Sequence, residues 1–208
     1  SKAGAANTTG QNTFVGGQAG QANTDGTNNI GLGVNALQAN TTGDFAVAVG
    51  HFALQNQNVT NGAATYNVAV GHSAGNDITT GIENTIIGGL AGDALSDADF
   101  NVAVGVESLG TDTKGNRSTA IGVGALNTQN FTTSTDSHNT AVGAIAGNKI
   151  TTGVQNTFVG SRSGDAFTDA DANVAVGFET LTADTLGSKS TAIGTFALKA
   201  QNFTTATD

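Results

Sequence analysis

Asp93, Asp97 and Asp99 recur 72 residues later as Asp165, Asp169 and Asp171. Carboxylates so spaced in a loop supply the hard oxygen donors that Ca²⁺ takes. Asp97, Asp99, Asp169 and Asp171 are therefore the candidate metal ligands. An earlier copy of the segment keeps only Asp25, with Gln21 and Thr27 in the other two places. That loss favours a solvated turn over a metal site, and no cofactor is expected.

Tyr66, Phe131 and Phe203 lie in Asn- and Thr-rich stretches, a setting in which exposed rings can stack on sugars. The alternative is that each ring folds back to cap a widened turn. His51, His72 and His138 have no carboxylate at ligand or catalytic spacing and read as surface residues. No Gly-x-Ser-x-Gly elbow or phosphate loop occurs, so the chain is not expected to be an enzyme.

Composition narrows the partners. Seven Lys and Arg scattered over 208 residues, against 16 Asp and Glu, form no stripe able to track phosphates. Neither nucleic acid nor an anionic membrane surface suits that distribution. No apolar stretch approaches the ~20 residues of a membrane-spanning helix, so this segment is not expected to insert. Cysteine is absent, which removes disulfides and thiolate metal sites. Glycine is abundant and bulky apolar residues are few, favouring a thin, closely stacked core over a wide one.

The elements that hold these side chains come from a repeat. NTFVG (12–16), NVAVG (67–71), NTIIG (84–88), NVAVG (101–105), STAIG (118–122), NTAVG (139–143), NTFVG (156–160), NVAVG (173–177) and STAIG (190–194) are one motif. NIGLG (29–33) and AVAVG (46–50) are looser copies. Successive closing glycines stand 17 residues apart, except for the steps Gly50 to Gly71 and Gly122 to Gly143, which are 21. Four steps make a super-repeat of 72 residues: GLAGDALSDADFNVAVG (89–105) matches SRSGDAFTDADANVAVG (161–177). The array begins and stops in mid-coil, so residues 1–208 are expected to be a single repeat array cut from a longer one.

Counting from the closing glycine, positions −3 and −1 are Val, Thr, Ile or Leu, and position −2 is mostly Ala. Neither side carries charge, as in strands covered on both faces. Position +3 is always small, and position +4 is Leu in half the array and Gly elsewhere. That pattern predicts a second short strand, followed by a turn containing Gly. Asn at position −4 in eight units predicts a stacked amide ladder. The fold class is therefore all-β: a parallel β-roll or β-solenoid of about eleven coils of 17–21 residues.

A coil this thin has one core, which only one side of the strand reaches. The expectation is that position −2 faces outward as an apolar stripe of Phe14, Ala48, Ala69, Ile86, Ala103, Ala120, Ala141, Phe158, Ala175 and Ala192. Such a stripe marks a self-association surface, closed most simply about an axis along the rod.

The units NTAVGAIAG (139–147) and STAIGVGAL (118–126) resemble the head repeats of trimeric autotransporter adhesins. They are still more similar to the Asn-Thr-Ala-Ile-Gly arrays in tail fibres of some bacteriophages. The resemblance covers the whole chain and implies a left-handed roll and a homotrimer. The 17-residue coils with 21-residue insertions depart from the roughly 14-residue adhesin unit. The expected function is a structural segment of an extracellular fibre, on a virion tail or a bacterial surface. Its partners would be sister chains and a host glycan or protein receptor. The alternatives are a monomeric ice- or surface-binding solenoid and a carbohydrate-processing fibre.

Overall fold

In the computed structural model, which describes residues 2–8 and 10–206, each repeat unit forms one three-residue strand. The first is Thr13–Val15 and the last Thr191–Ile193, and eleven such strands pair in sequence order into one parallel sheet. Register follows the motif: Val102, Ala103 and Val104 face Thr119, Ala120 and Ile121. The described residues contain no helix, and the chain winds as a β-solenoid of about eleven turns. At the usual strand spacing its length is about 50 Å. Each 21-residue step adds pairing outside the main sheet, Gly115–Asn116 with Thr135–Asp136 in one case and a bridge from Asp44 to Ala64 in the other.

The amide ladder forms as expected. Asn84 Oδ1 accepts the N–H of Asn101 at 2.9 Å, and Asn101 Oδ1 accepts that of Ser118 at 2.8 Å. The same side chains donate Nδ2–H ahead, Asn84 to Ala98 O at 2.8 Å and Asn101 to Gly115 O at 2.9 Å. One buried Asn thus satisfies a donor and an acceptor of the following coil, which an apolar interior would otherwise leave unpaired. Before each 21-residue step the ladder residue is Ala46 or Ser118. There the side chains of Gln57 and Gln129 take over, each accepting from the next ladder residue, Asn67 and Asn139, at 2.8 Å.

The structure corrects the expected second strand. Positions +1 to +6 form turns, because the residues at +2 and +4 are left-handed, as at Glu107 (φ 57) and Leu109 (φ 50). The closing glycine answers to its neighbour in the stack. Gly105 has φ 136, and a Cβ there would lie 2.5 Å from Gly122 O.

The orientation of the strand is also corrected. Ala48, Ala69, Ile86, Ala103, Ala120, Ala141, Phe158 and Ala175 are fully buried within the single chain, Ala192 is 4% exposed, and Phe14 is partly buried against the same core. Position −2 therefore points into the coil, and positions −3 and −1 point out. The reason is width: the inward residue meets small residues at +3, such as Ala74 and Ala91, leaving no room for a β-branched pair.

Core volume is balanced inside each coil. Where +4 is Leu, as at Leu54, Leu109, Leu126 and Leu181, the buried residue at +7 is polar: Gln57, Asp112, Gln129 and Asp184. Where +4 is Gly, as at Gly75, Gly92, Gly147 and Gly164, it is Ile78, Leu95, Ile150 and Phe167. Ile86 and Phe158, the large inward residues, belong to coils with Gly at +4. One apolar side chain fills this space from either position, except in the first coil, which has Gly20 and Asn23 there.

Candidate functional site

The outward side of the sheet is a continuous face eleven strands deep. It carries Thr, Val, Ile or Leu at every −3 and −1 position and no charge. Ile87 and Ile121 are 39% and 38% exposed. The neighbouring +1 column adds Val34, Val106 and Val123, the last 56% exposed. Three-residue strands about 10 Å long, eleven deep at about 4.8 Å spacing, give a face of about 500 Å². That is near the upper end of what soluble monomers expose as one apolar patch.

The structure gives the candidate metal ligands work between coils. Asp99 Oδ1 accepts the backbone N–H of Ile82 at 2.8 Å, and Asp171 Oδ1 that of Val154 at 2.7 Å. Asp44, at the equivalent place in an earlier coil, accepts the N–H of Thr27 at 2.6 Å. Asp97 lies 3.5 Å from Lys114 Nζ, and Asp169 accepts the Thr152 hydroxyl at 2.6 Å. Among the described residues no group of three or more His, Cys, Asp or Glu is placed to hold a metal ion. These carboxylates form an outer ladder that parallels the buried amides.

The aromatic candidates separate. Phe131 is 6% exposed and packs over Gly115, the folded-back arrangement. Tyr66 is 56% exposed and stacks on Phe45 at 5.4 Å between ring centroids. Phe203, one super-repeat beyond Phe131, lies over Gly187 and is 41% exposed. His51 and His72 also stack, at 5.4 Å, because both occupy the +1 column of adjacent coils.

Sequence reasoning missed the buried acids. Asp112 Oδ1 accepts the N–H groups of Gly115 (3.0 Å) and Phe131 (3.1 Å), and its Oδ2 accepts from Gln129. Asp184 repeats this with Gly187, Phe203 and Gln201. The available signal was their position, which is apolar in four of the five coils with Gly at +4.

Three carboxyls are shifted. Asp93 is raised, by burial first and then by the charges of Asp77 and Glu107. Burial also raises Asp165, opposed by Arg162 and Lys149. The Lys199 ammonium holds Glu179 below the usual carboxylate range. All lie in the turns at +2 to +6.

No family model, curated protein or solved structure matches the chain.

Proposed function

We propose that this chain is a shaft segment of an extracellular fibre, a homotrimer whose three rods bury their outward sheet faces around a common axis. The fibre holds a phage tail or a bacterial surface to a host or cell surface, through a glycan or protein receptor. One observation carries the reading: an uncharged, apolar sheet face eleven strands long that none of the described residues covers. A regular rod with one such face is closed most simply by identical rods about an axis along its length. The similarity of the repeat to adhesin heads and phage fibre arrays supports the number three.

Light scattering tests this, with a mass of three chains expected. Val104→Asp, on the outward face, should yield a folded species of lower mass. A folded wild-type monomer would overturn the proposal.

A second reading draws on the threonines of the same face. Thr119, Thr140 and Thr157 align on successive strands, the kind of flat hydroxyl row suited to an ice lattice. Val68, Val102 and Val174 interrupt the row. Thermal hysteresis from a monomeric protein would favour it.

A further inference from the structure

The super-repeat provides an internal comparison of surfaces on one backbone. Lys149, Arg162, Asp165, Glu179, Thr182 and Lys199 line an open cleft of about 410 Å³. Seventy-two residues earlier, the corresponding residues are Asp77, Leu90, Asp93, Glu107, Gly110 and Asn127. The two acids at the base are retained, and all three cations are new. Between residues 65–136 and 137–208, these are the only positions at which the second copy gains a positive charge. Three of the chain's seven Lys and Arg have converged on one cleft of a protein with net charge −9.

The cleft sorts its charges by depth. The side chains of Asp165 and Glu179 are 14% and 19% exposed, whereas those of Arg162 and Lys199 are 55% and 49% exposed. A ligand therefore meets cations at the rim and carboxylate acceptors below. Arg162 reaches Asp165 through Nε, at 3.4 Å, and its side chain remains 55% exposed. Lys149 makes no ion pair among the described residues. Lys199 lies 4.5 Å over the ring of Phe196, which meets Phe178 edge-to-face at 5.7 Å. The earlier copy has Gly124 and Val106 in place of these rings.

We propose that this cleft binds a carboxylate-bearing saccharide, a uronic or sialic acid residue. Arg162 and Lys149 engage its carboxylate, and Asp165 and Glu179 accept hydrogen bonds from its hydroxyl groups. Each part matches one feature of an acidic sugar, and a guanidinium fork suits a carboxylate particularly well. The proposal deepens the attachment reading by naming a receptor class, and it rests on that reading only for its biological setting.

The test uses the whole chain on an array of uronate and sialic acid glycans, their neutral parents and sulfated polymers, followed by calorimetry on the best binder. The triple variant Lys149→Asp, Arg162→Leu, Lys199→Asn restores the residues of the earlier copy, which the same backbone already accommodates. Binding of a carboxylated glycan over its neutral parent is expected, with at least about a tenfold loss in the triple variant. Absence of any carboxylate preference, equal binding by the triple variant, or equal binding of every sulfated polymer would overturn the site. Light scattering on the same samples separates the two readings. A monomer that binds acidic sugar sinks the trimer alone, and a trimer that binds none sinks the cleft alone.

Discussion

The Cβ that Gly164 lacks would stand 2.5 Å from the ring of Phe158. The two residues share one volume inside one coil, and Gly164 also has φ 61. Gly164→Ala should therefore destabilise by about 2–5 kcal/mol, from overpacking and left-handed strain together. Phe158→Ala alone should cost about 3–5 kcal/mol. In the Phe158→Ala background, Gly164→Ala should add only the conformational part, about 1–2 kcal/mol. Denaturant midpoints of the four proteins measure the coupling, and additive effects would contradict the shared volume.

Asn101→Ala removes the acceptor for Ser118 N–H and the donor to Gly115 O, both in the buried ladder. A loss of about 2–4 kcal/mol is expected, since two buried groups are left without partners. Hydrogen exchange should show the Ser118 amide among those that lose most protection. An unchanged Ser118 amide would mean that the ladder is ornamental.

Asn23 stands at +7 in a coil that has Gly20 at +4, where the other such coils carry Ile78, Leu95, Ile150 and Phe167. It is fully buried, and its Nδ2 has no hydrogen-bond partner among the described residues. Asn23→Leu should therefore stabilise the protein, by about 1–3 kcal/mol. A lower melting temperature for this variant would show that the exchange of volume between +4 and +7 does not extend to the first coil.

Asp93 has its pKa raised by burial and by the neighbouring Asp77 and Glu107. The native state holds this proton more tightly than the unfolded chain. Its contribution to stability is therefore greatest in acid, falls as pH rises from the ordinary carboxylate value to the raised one, and is constant above that. Asp93→Asn should raise the melting temperature at pH 7, and the advantage should disappear below the ordinary carboxylate value. A pH-independent advantage would exclude charge as its cause.

Ala103 and Val104 are adjacent yet face opposite ways. Ala103→Leu should lower stability by about 1–3 kcal/mol through overpacking. Val104→Lys should leave the fold intact and change only association, read by circular dichroism and light scattering on the same samples. If both variants unfold, the face carrying Val104 also belongs to the fold of the single chain.

The solenoid, its period and the amide ladder were legible because a repeated sequence states each constraint again in coil after coil. The inward side of the strand was not, because hydrophobic alternation carries information only when one side is polar. Ala103 and Val104 are both apolar, so the period of two has no sign. The missing sign lay in a pairing of sizes: Phe14 with Gly20, Ile86 with Gly92 and Phe158 with Gly164. Only inward side chains need such compensation. The turns misled for another reason. Glu107, Arg162 and Phe196 all adopt positive φ at +2, which nothing in those residue types announces. Asp112 and Asp184 were hidden because a buried carboxylate reads as a surface residue until its donors are seen.

The run of two Leu coils and then two Gly coils at +4, matched to the residue at +7 and to the ladder break before each long step, makes four coils the smallest interchangeable unit. Duplicating 72 residues would lengthen the rod by about 19 Å with every neighbour unchanged. Duplicating 17 would set a coil beside the wrong companion. Reach is therefore gained in discrete increments, and each new block arrives with a fresh copy of the turn surface, free to diverge while the inside is copied.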